Sequence, residues 1–579
     1  MRRLIHSITA PLLLIAVLVP FFVIAARFAT PSRERLDMAL NGHVLSPAEI
    51  GAMVSQRQAH IETTIEFKRE MGQRVVRGEA GKVIKTPSAF GSDPMLSDIE
   101  KLIWLRELVL WTPFDEATAF SALSRMNPAK FDFNPHVFNY GGALIYPVGA
   151  LLFVLDRAGL LKASGGLGAM IEDPDQVGRM YLAAKLLIAG SFLATLLLIW
   201  DIGRLLASPR AGLIAALAYG LSDSFGQALV IKPHVPAAMW TAVAISLLLR
   251  FDRDARIWRI WAAGAAVGMA AGSIVTAAPV ALLVPLLLWR KSNWPTWLGQ
   301  CAIAGLAAAA VFFATNPYIV LDAYQFATDA AIHGTGRSRL TPQLGRLWES
   351  LLDTPFHNPP FSMLACAAVV YGSWRSQGAV AGLSRFALVL IPLLGSTVGS
   401  GRTVTFMYPI FYILAGLAID HWLQASPESR WRPGLVVVTL LVTAANPATE
   451  FVNIRKWDQT NRDFREAFDR LPIDANTVMA VYARSIFLPT PLYPARIMYL
   501  DLNDPIDQPR IDYVLVPSGL GLYRQLREFV GRDFVPVTPC RPDPEPGPRA
   551  LVTWVLDRVT RAETVPPSRT CLYAKTPAR

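Results

Sequence analysis

The stretch Thr112-Pro113-Phe114-Asp115-Glu116-Ala117-Thr118-Ala119-Phe120 is followed by Arg125-Met126-Asn127-Pro128 and then by Asn134-Pro135-His136-Val137-Phe138-Asn139-Tyr140. It sets two adjacent carboxylates between a long polar segment and the first of many apolar runs. Anchoring a protein in a bilayer calls for no such pair. The apolar runs are therefore expected to hold Asp115 and Glu116 against a lipid-borne substrate.

The composition around that stretch is that of a membrane protein. Apolar residues make up 53% and charged residues 17% of the chain, against roughly 25% charged in soluble proteins. Several windows carry about 15–20 apolar residues with almost no charge, the length that crosses a bilayer as a helix. The spans must be helical, because an open sheet would leave backbone groups unpaired in lipid. The net charge of +11 is spread over short loops. It therefore reads as an orientation signal, with membrane lipids and not nucleic acid as the partner.

Met1-Arg2-Arg3 precedes an apolar run, residues 8–29, taken as an uncleaved first span whose amino terminus is cytoplasmic. Residues 30–112 are polar. A helix is expected through 48–77, and an amphipathic one at 97–105 that either lies on the bilayer surface beside Trp104 and Trp111 or is an ordinary soluble helix. Farther on, Arg204 and Arg210, Arg250 to Arg259, Arg290-Lys291, Arg375 and Arg385, and Arg430 and Arg432 mark loops on one side. Placing all of them in the cytoplasm requires an even number of crossings between any two. Spans near 9–28, 180–200, 211–229, 235–250, 259–274, 277–289, 297–315, 360–374, 385–399, 404–422 and 433–446 satisfy this parity, about eleven in all. The apolar run 143–155 must then begin and end on the outer face, as an interfacial or re-entrant segment.

With that parity Asp115-Glu116, the turn Lys232-Pro233-His234, the loop 316–360 and Gly401-Arg402 all fall on the outer surface. The expected organisation is a first span at 1–29, a periplasmic loop with the acidic motif at 30–178, a bundle at 179–446, and a soluble α/β domain at 447–579. In that last domain 477–483, 496–500 and 513–517 read as strands, and 462–471 and 521–530 as helices. Cys301 and Cys366 read as packing residues, whereas Cys540 and Cys571 can pair if the tail lies outside the cytoplasm.

An acidic pair after the first span, the following RMNP, and NPHVFNY ahead of an interfacial stretch resemble the GT-C superfamily of lipid-dependent glycosyltransferases. The nearest branch is that of the protein mannosyltransferases and the lipid A aminoarabinose transferases. Arg179, Lys232–His234, Asn316-Pro317-Tyr318 and Arg402 ahead of FMYPIFYILAG add to the resemblance, which covers residues 100–450. It implies a GT-C-like polytopic helical fold and transfer of a sugar from a polyprenyl phosphate or diphosphate to an acceptor hydroxyl of a glycan, lipid or protein. It also implies an outer-face site in a plasma (inner) membrane protein with a periplasmic carboxyl domain.

The residue chemistry agrees with this expectation. A carboxylate within reach of an acceptor hydroxyl takes its proton as the new bond forms, and its charge favours oxocarbenium character at the sugar carbon. By resemblance Asp115 is the base and Glu116 a positioning group; otherwise the two are a helix N-terminal pair favoured by the dipole. Where many relatives carry a second acid, some of them binding a metal with it, this chain has His234, so a metal-independent reaction is expected. Lys232 and His234 would contact the donor phosphate, or Lys232 snorkels while His234 caps a helix. His333, Arg337, Arg402 and more weakly Arg339 would meet the leaving phosphate, or simply meet lipid headgroups. Lys185, inside the second span, needs a partner, with Asp223 a candidate. A transporter or flippase, the alternative function, should carry its polar features at the midplane in repeated halves. A third reading is a non-catalytic assembly protein.

Overall fold

The computed structural model describes residues 2–26, 30–79, 95–110, 114–163, 165–222, 224–289, 293–337, 359–398, 405–425, 428–429, 431–440, 468–482, 493–500, 511–517, 534–536 and 570–575. The amino-terminal half comprises α1 (Arg2–Ala25), α2 (Arg33–Leu40), α3 (Pro47–Val76), α4 (Asp98–Leu110), α5 (Phe114–Leu123), α6 (Gly142–Arg157), α7 (Gly166–Glu172) and α8 (Pro174–Leu206). Then follow α9 (Pro209–Gly220), α10 (Ser224–Gln227), α11 (His234–Asp254), α12 (Trp258–Ser273), α13 (Leu283–Leu288), α14 (Trp294–Thr315), α15 (Tyr318–Leu321) and α16 (Ala323–Arg337). The last helices are α17 (Pro359–Arg375), α18 (Gly378–Val398), α19 (Tyr408–Gln424) and α20 (Trp431–Leu440).

Many of these starts are written locally. Ser46 and Glu49 form a reciprocal capping box ahead of Pro47, and Ser208 and Asn293 cap α9 and α14, each with proline in the first turn.

Among the described residues α8, α11, α14 and Thr405–Gln424 are long and apolar enough to cross a membrane, with shorter apolar helices at Ile15–Ile24, Val275–Leu288, Gly378–Leu390 and Trp431–Leu440. Two expected spans are shorter than their apolar runs. The run 211–229 divides because α9 stops at Gly220, where the Ser222 hydroxyl donates to the Tyr219 carbonyl and accepts the Ser224 N–H, closing a turn. The run 277–289 opens as a 3-10 stretch, Val275–Leu282, with Pro279 inside it.

Successive helices run in alternate directions. At one end Arg210 reaches Asp420, Arg250 reaches Asp201, Arg253 reaches the Leu205 carbonyl and Arg432 the Trp422 carbonyl. These are the loop arginines, and they stitch neighbouring helix ends with charge-assisted bonds. At the opposite end the Gly141 N–H donates to the Ser273 carbonyl, and Asn316 accepts from the Gly142 N–H and donates to the Gly272 carbonyl. Close backbone approach holds the helices between: a Cβ on Gly264 of α12 would fall on the Ala304 carbonyl of α14. Helix α6 starts beside Ser273, and the turn after it ends with the Lys162 N–H on Gln176, in the first turn of α8. The apolar run 143–155 thus begins and ends at the same end of the bundle.

The carboxyl-terminal part is a five-stranded sheet of β1 (Val478–Tyr482), β2 (Arg496–Leu500), β3 (Tyr513–Pro517), β4 (Phe534–Pro536) and β5 (Thr570–Lys575), in the order β2-β1-β3-β5-β4. β1 pairs parallel with β2 and β3, while β5 runs antiparallel to β3 and β4. The last two strands are not read from the sequence. Of the expected helices, 521–530 and most of 462–471 lie outside the described residues; so does Cys540, whereas Cys571 sits in β5.

This sheet shares its core with the polar insert. Leu36, Leu40, Met53, Leu102 and Leu105 pack with Phe468, Met479, Ile497 and Tyr513, and the Leu96 N–H donates to the Ile497 carbonyl at the β2 edge. α4 therefore buries Leu102 and Leu105 in a core shared with the sheet, and that apolar side meets protein.

Candidate active-site cleft

Beside α5 lies a cleft of about 1930 Å³. Its walls are one face of α3 (Arg57, Ile61, Thr64, Lys68), Arg106 of α4, the Ala117-Thr118-Ser121-Ser124 side of α5, Arg125, apolar positions of α6 and α8 (Leu152, Phe153, Val177, Met180), Tyr146, Tyr318 and Asp329. Four cationic side chains, Arg57, Lys68, Arg106 and Arg125, stand against two carboxylates, Asp156 and Asp329, among the described lining residues. A cleft that combines an apolar wall with an excess of cations suits a ligand with an apolar body and an anionic head.

The cations are held by a network that joins three distant segments. Lys68 Nζ lies 2.7 Å from Asp329 Oδ1 and donates to the His136 carbonyl at 3.0 Å; Arg125 Nη1 donates to the same oxygen at 3.0 Å. The Phe138 N–H donates to the other Asp329 oxygen. His136 sits at φ 51°, in the left-handed region, because the Asn134 side chain accepts its N–H and turns the chain after Pro135. That turn aims the carbonyl at both cations. The His136 ring meets Gln325 at 3.0 Å, and Asp322 accepts from both Asn134 and Gln325.

Burial pushes the Lys68 ammonium below the ordinary lysine value, with Asp329 opposing the shift, and it lowers Arg125 in the same sense. Burial likewise holds His136 below its usual range, so the ring is neutral at pH 7. Arg125 Nε is buried with no hydrogen-bond partner among the described residues.

Of the residues expected from the sequence, Asp115 lies in the first turn of α5, one turn ahead of Thr118 on the cleft wall; its side chain is outside the described residues. Glu116 is fully buried and lies outside the cleft lining. Its Oε1 accepts the Ile231 N–H at 3.2 Å and sits 3.4 Å from Lys185 Nζ, while Oε2 has no hydrogen-bond partner among the described residues. Lys185 thus has an acidic partner in Glu116, and Asp223 is outside the described residues. Lys232 and His234 are buried in the turn that begins at Ile231, beneath α5. His234 is the first residue of α11, directly after the N-cap Pro233.

The segment His333–Arg337, which the sequence places in the outer loop 316–360, forms the last turn of α16, which packs along α3 with Thr328 donating to the Lys68 carbonyl. The side chains of His333 and Arg337, and Arg339 and Arg402 entirely, lie outside the described residues. Arg57, Lys68, Arg106 and Arg125 were not assigned from the sequence. Arg125 stands in the RMNP motif itself, and the spacing 57, 61, 64, 68 marks one helix face, so a signal for both was present. Among the described residues no group of three or more His, Cys, Asp or Glu is placed to hold a metal ion.

No family model and no curated protein sequence matches the chain. Solved structures do. ArnT from Cupriavidus metallidurans in the apo state is similar at 12% identity and a TM-score of 0.44, with 97% of each chain covered; with undecaprenyl phosphate bound the TM-score is 0.41. The apo oligosaccharyltransferase of Archaeoglobus fulgidus is similar at 11% identity and a TM-score of 0.42, over 80% of this chain and 70% of that one.

Proposed function

We propose that the chain is an integral-membrane glycosyltransferase of about eleven spans in the inner membrane. On the periplasmic face it moves a sugar from a polyprenyl-phosphate-linked donor to an acceptor hydroxyl. The observation that carries this reading is the cleft beside the acidic helix, apolar along α6 and α8 and cationic at Lys68, Arg125, Arg57 and Arg106. Isoprenoid lies along the apolar wall and phosphate meets the cations. Asp115 takes the acceptor proton as the acceptor oxygen bonds to the anomeric carbon. The carbon–oxygen bond to phosphate breaks with inversion, and the departing oxygen keeps the electron pair and is stabilised by the cations.

Glu116 acts from behind the wall. Buried against Lys185 and the Ile231 N–H, it fixes the first turn of α5, and Lys232 and His234 hold the turn it grips. Arg337, Arg402 and His333 remain proposed phosphate ligands, and no metal takes part.

The test is purified protein with a panel of polyprenyl-phosphate sugars, the products read by mass spectrometry. Wild type should transfer from at least one donor, with or without chelator, and Asp115→Asn should insert normally yet transfer about 10²–10⁴-fold more slowly. Undiminished transfer by Asp115→Asn would overturn the assignment, and loss in chelator restored by a divalent ion would overturn the metal-free reaction.

A further inference from the structure

At the mouth of the cleft the chain makes a hairpin whose exposed tip is apolar. Asn127 and Asp132 exchange backbone hydrogen bonds at 2.8 and 3.0 Å, and Pro128–Lys130 form a 3-10 turn between them. Phe131 closes it at φ 57°, a left-handed conformation that a bulky side chain adopts at a cost. The conformation presents the ring to the outside: Phe131 is 84% exposed, with the Lys130 side chain exposed next to it.

A second apolar edge adjoins the hairpin. The Phe133 N–H donates to the Tyr318 hydroxyl, Tyr146 donates to the Phe133 carbonyl, and Asn134 donates to Asp322, so α15 is fastened to the hairpin on both sides. Val320 and Leu321 of α15 are 63% and 73% exposed. With Phe133, itself 44% exposed, four large apolar side chains on a braced frame stand outward beside a lysine.

The occupant follows from continuity. α14 is apolar over its length, and only 11% of its most apolar window is buried, so beyond its seam with α12 its apolar surface is uncovered by protein, as a lipid-facing helix requires. α15 begins three residues after α14 ends, with only Asn316 and Pro317 between. The exposed edge is therefore the direct extension of a lipid-facing helix at the level where that helix leaves the hydrocarbon. Burying a Phe side chain is worth about 1.5–3 kcal/mol, and a lysine at that depth meets lipid phosphate.

We infer that the 127–132 hairpin and α15 form a wedge seated in the headgroup–acyl boundary of the leaflet at the cleft end of the bundle, Phe131 and Leu321 in the acyl region and Lys130 at the phosphates. The partner is the lipid surface itself. Because Phe133 and Tyr318 line both wedge and cleft, the wedge sets the depth at which the cleft mouth meets the bilayer. This consequence for the reaction rests on the proposed function; the seating does not.

An environment-sensitive fluorescent amino acid is placed at position 131 of the full chain, and separately at Val44, which is equally exposed at 84% but lies in the insert. Both proteins are reconstituted in phosphatidylethanolamine–phosphatidylglycerol vesicles. Spin labels at the lipid headgroup or at an upper acyl carbon should quench the 131 probe more strongly than a label near the acyl terminus. Aqueous iodide should quench the Val44 probe and spare the 131 probe. Iodide quenching at 131 equal to that at 44, with no effect of spin-labelled lipid, would overturn the seating, whether water or another protein lies there. For the reaction, the double change Phe131→Asp, Leu321→Asp should raise KM for a long-chain donor roughly tenfold or more and leave a short-chain soluble donor unchanged. An equal effect on both donors would overturn the depth-setting role while leaving the quenching result intact.

Discussion

Lys68 Nζ of α3 lies 2.7 Å from Asp329 Oδ1 of α16, both side chains more than nine-tenths buried. One residue comes from the polar insert, the other from a helix far along the chain. Their pair, with the shared His136 carbonyl, closes the wall of the cleft. Such a pair is weak evidence for stability, because desolvation offsets most of its attraction, but losing one member leaves a bare buried charge.

Lys68→Met should therefore destabilise the protein by about 3–5 kcal/mol. Adding Asp329→Leu should recover most of that loss without restoring donor affinity. Thermal unfolding in detergent and donor KM read the two effects apart.

The lowered Lys68 value gives a pH signature. In the unfolded chain Lys68 titrates at its usual 10.5, so between the lowered native value and 10.5 the unfolded state holds more protons, and stability rises with pH across that window. Donor binding moves the opposite way, since the ammonium that meets phosphate is lost there. Donor affinity should decline at a pH below that of an ordinary lysine, and Lys68→Arg should remove the decline.

His136 acts at the acid end. Its native value is below the ordinary 6.5 and it is buried neutral, so the unfolded state takes up the proton first as pH falls. The stability it contributes is present above pH 6.5 and is lost below it, by up to about 1.4 kcal/mol per pH unit. His136→Asn, which tolerates the left-handed backbone and keeps a polar side chain, should flatten that acid limb in a melting-temperature series.

Two glycines on α3 should respond oppositely. A Cβ on Gly72 would fall on the Tyr324 carbonyl of α16, so Gly72→Ala should cost about 1–3 kcal/mol by prising the helices apart, and it should raise donor KM because Lys68 lies one turn away. Gly51 has open space around it, and Gly51→Ala should stabilise by roughly 0.5–1 kcal/mol with no kinetic effect.

The sequence by itself determined that the chain is a helical membrane protein, where α8, α11 and α14 run, and that Glu116 and the turn at Ile231 lie at one end of the bundle. Each follows from local physics: an apolar run of fixed length, an arginine beside it, a proline or serine at its start. Asp115 stood out because an acidic pair ahead of an apolar segment needs a reason. Only the tertiary structure decided which cations face the cleft. Arg57 and Lys68 share an exposed-looking helix of ordinary amphipathic spacing, and Arg106 sits on a helix that reads equally well as interfacial or soluble. Nothing within either helix says that α16 or the β1–β3 sheet will cover its other side. Burial is a property of the neighbours, and those neighbours arrive from Asp329, His136 and Met479, too far along the chain for any local pattern to hold them.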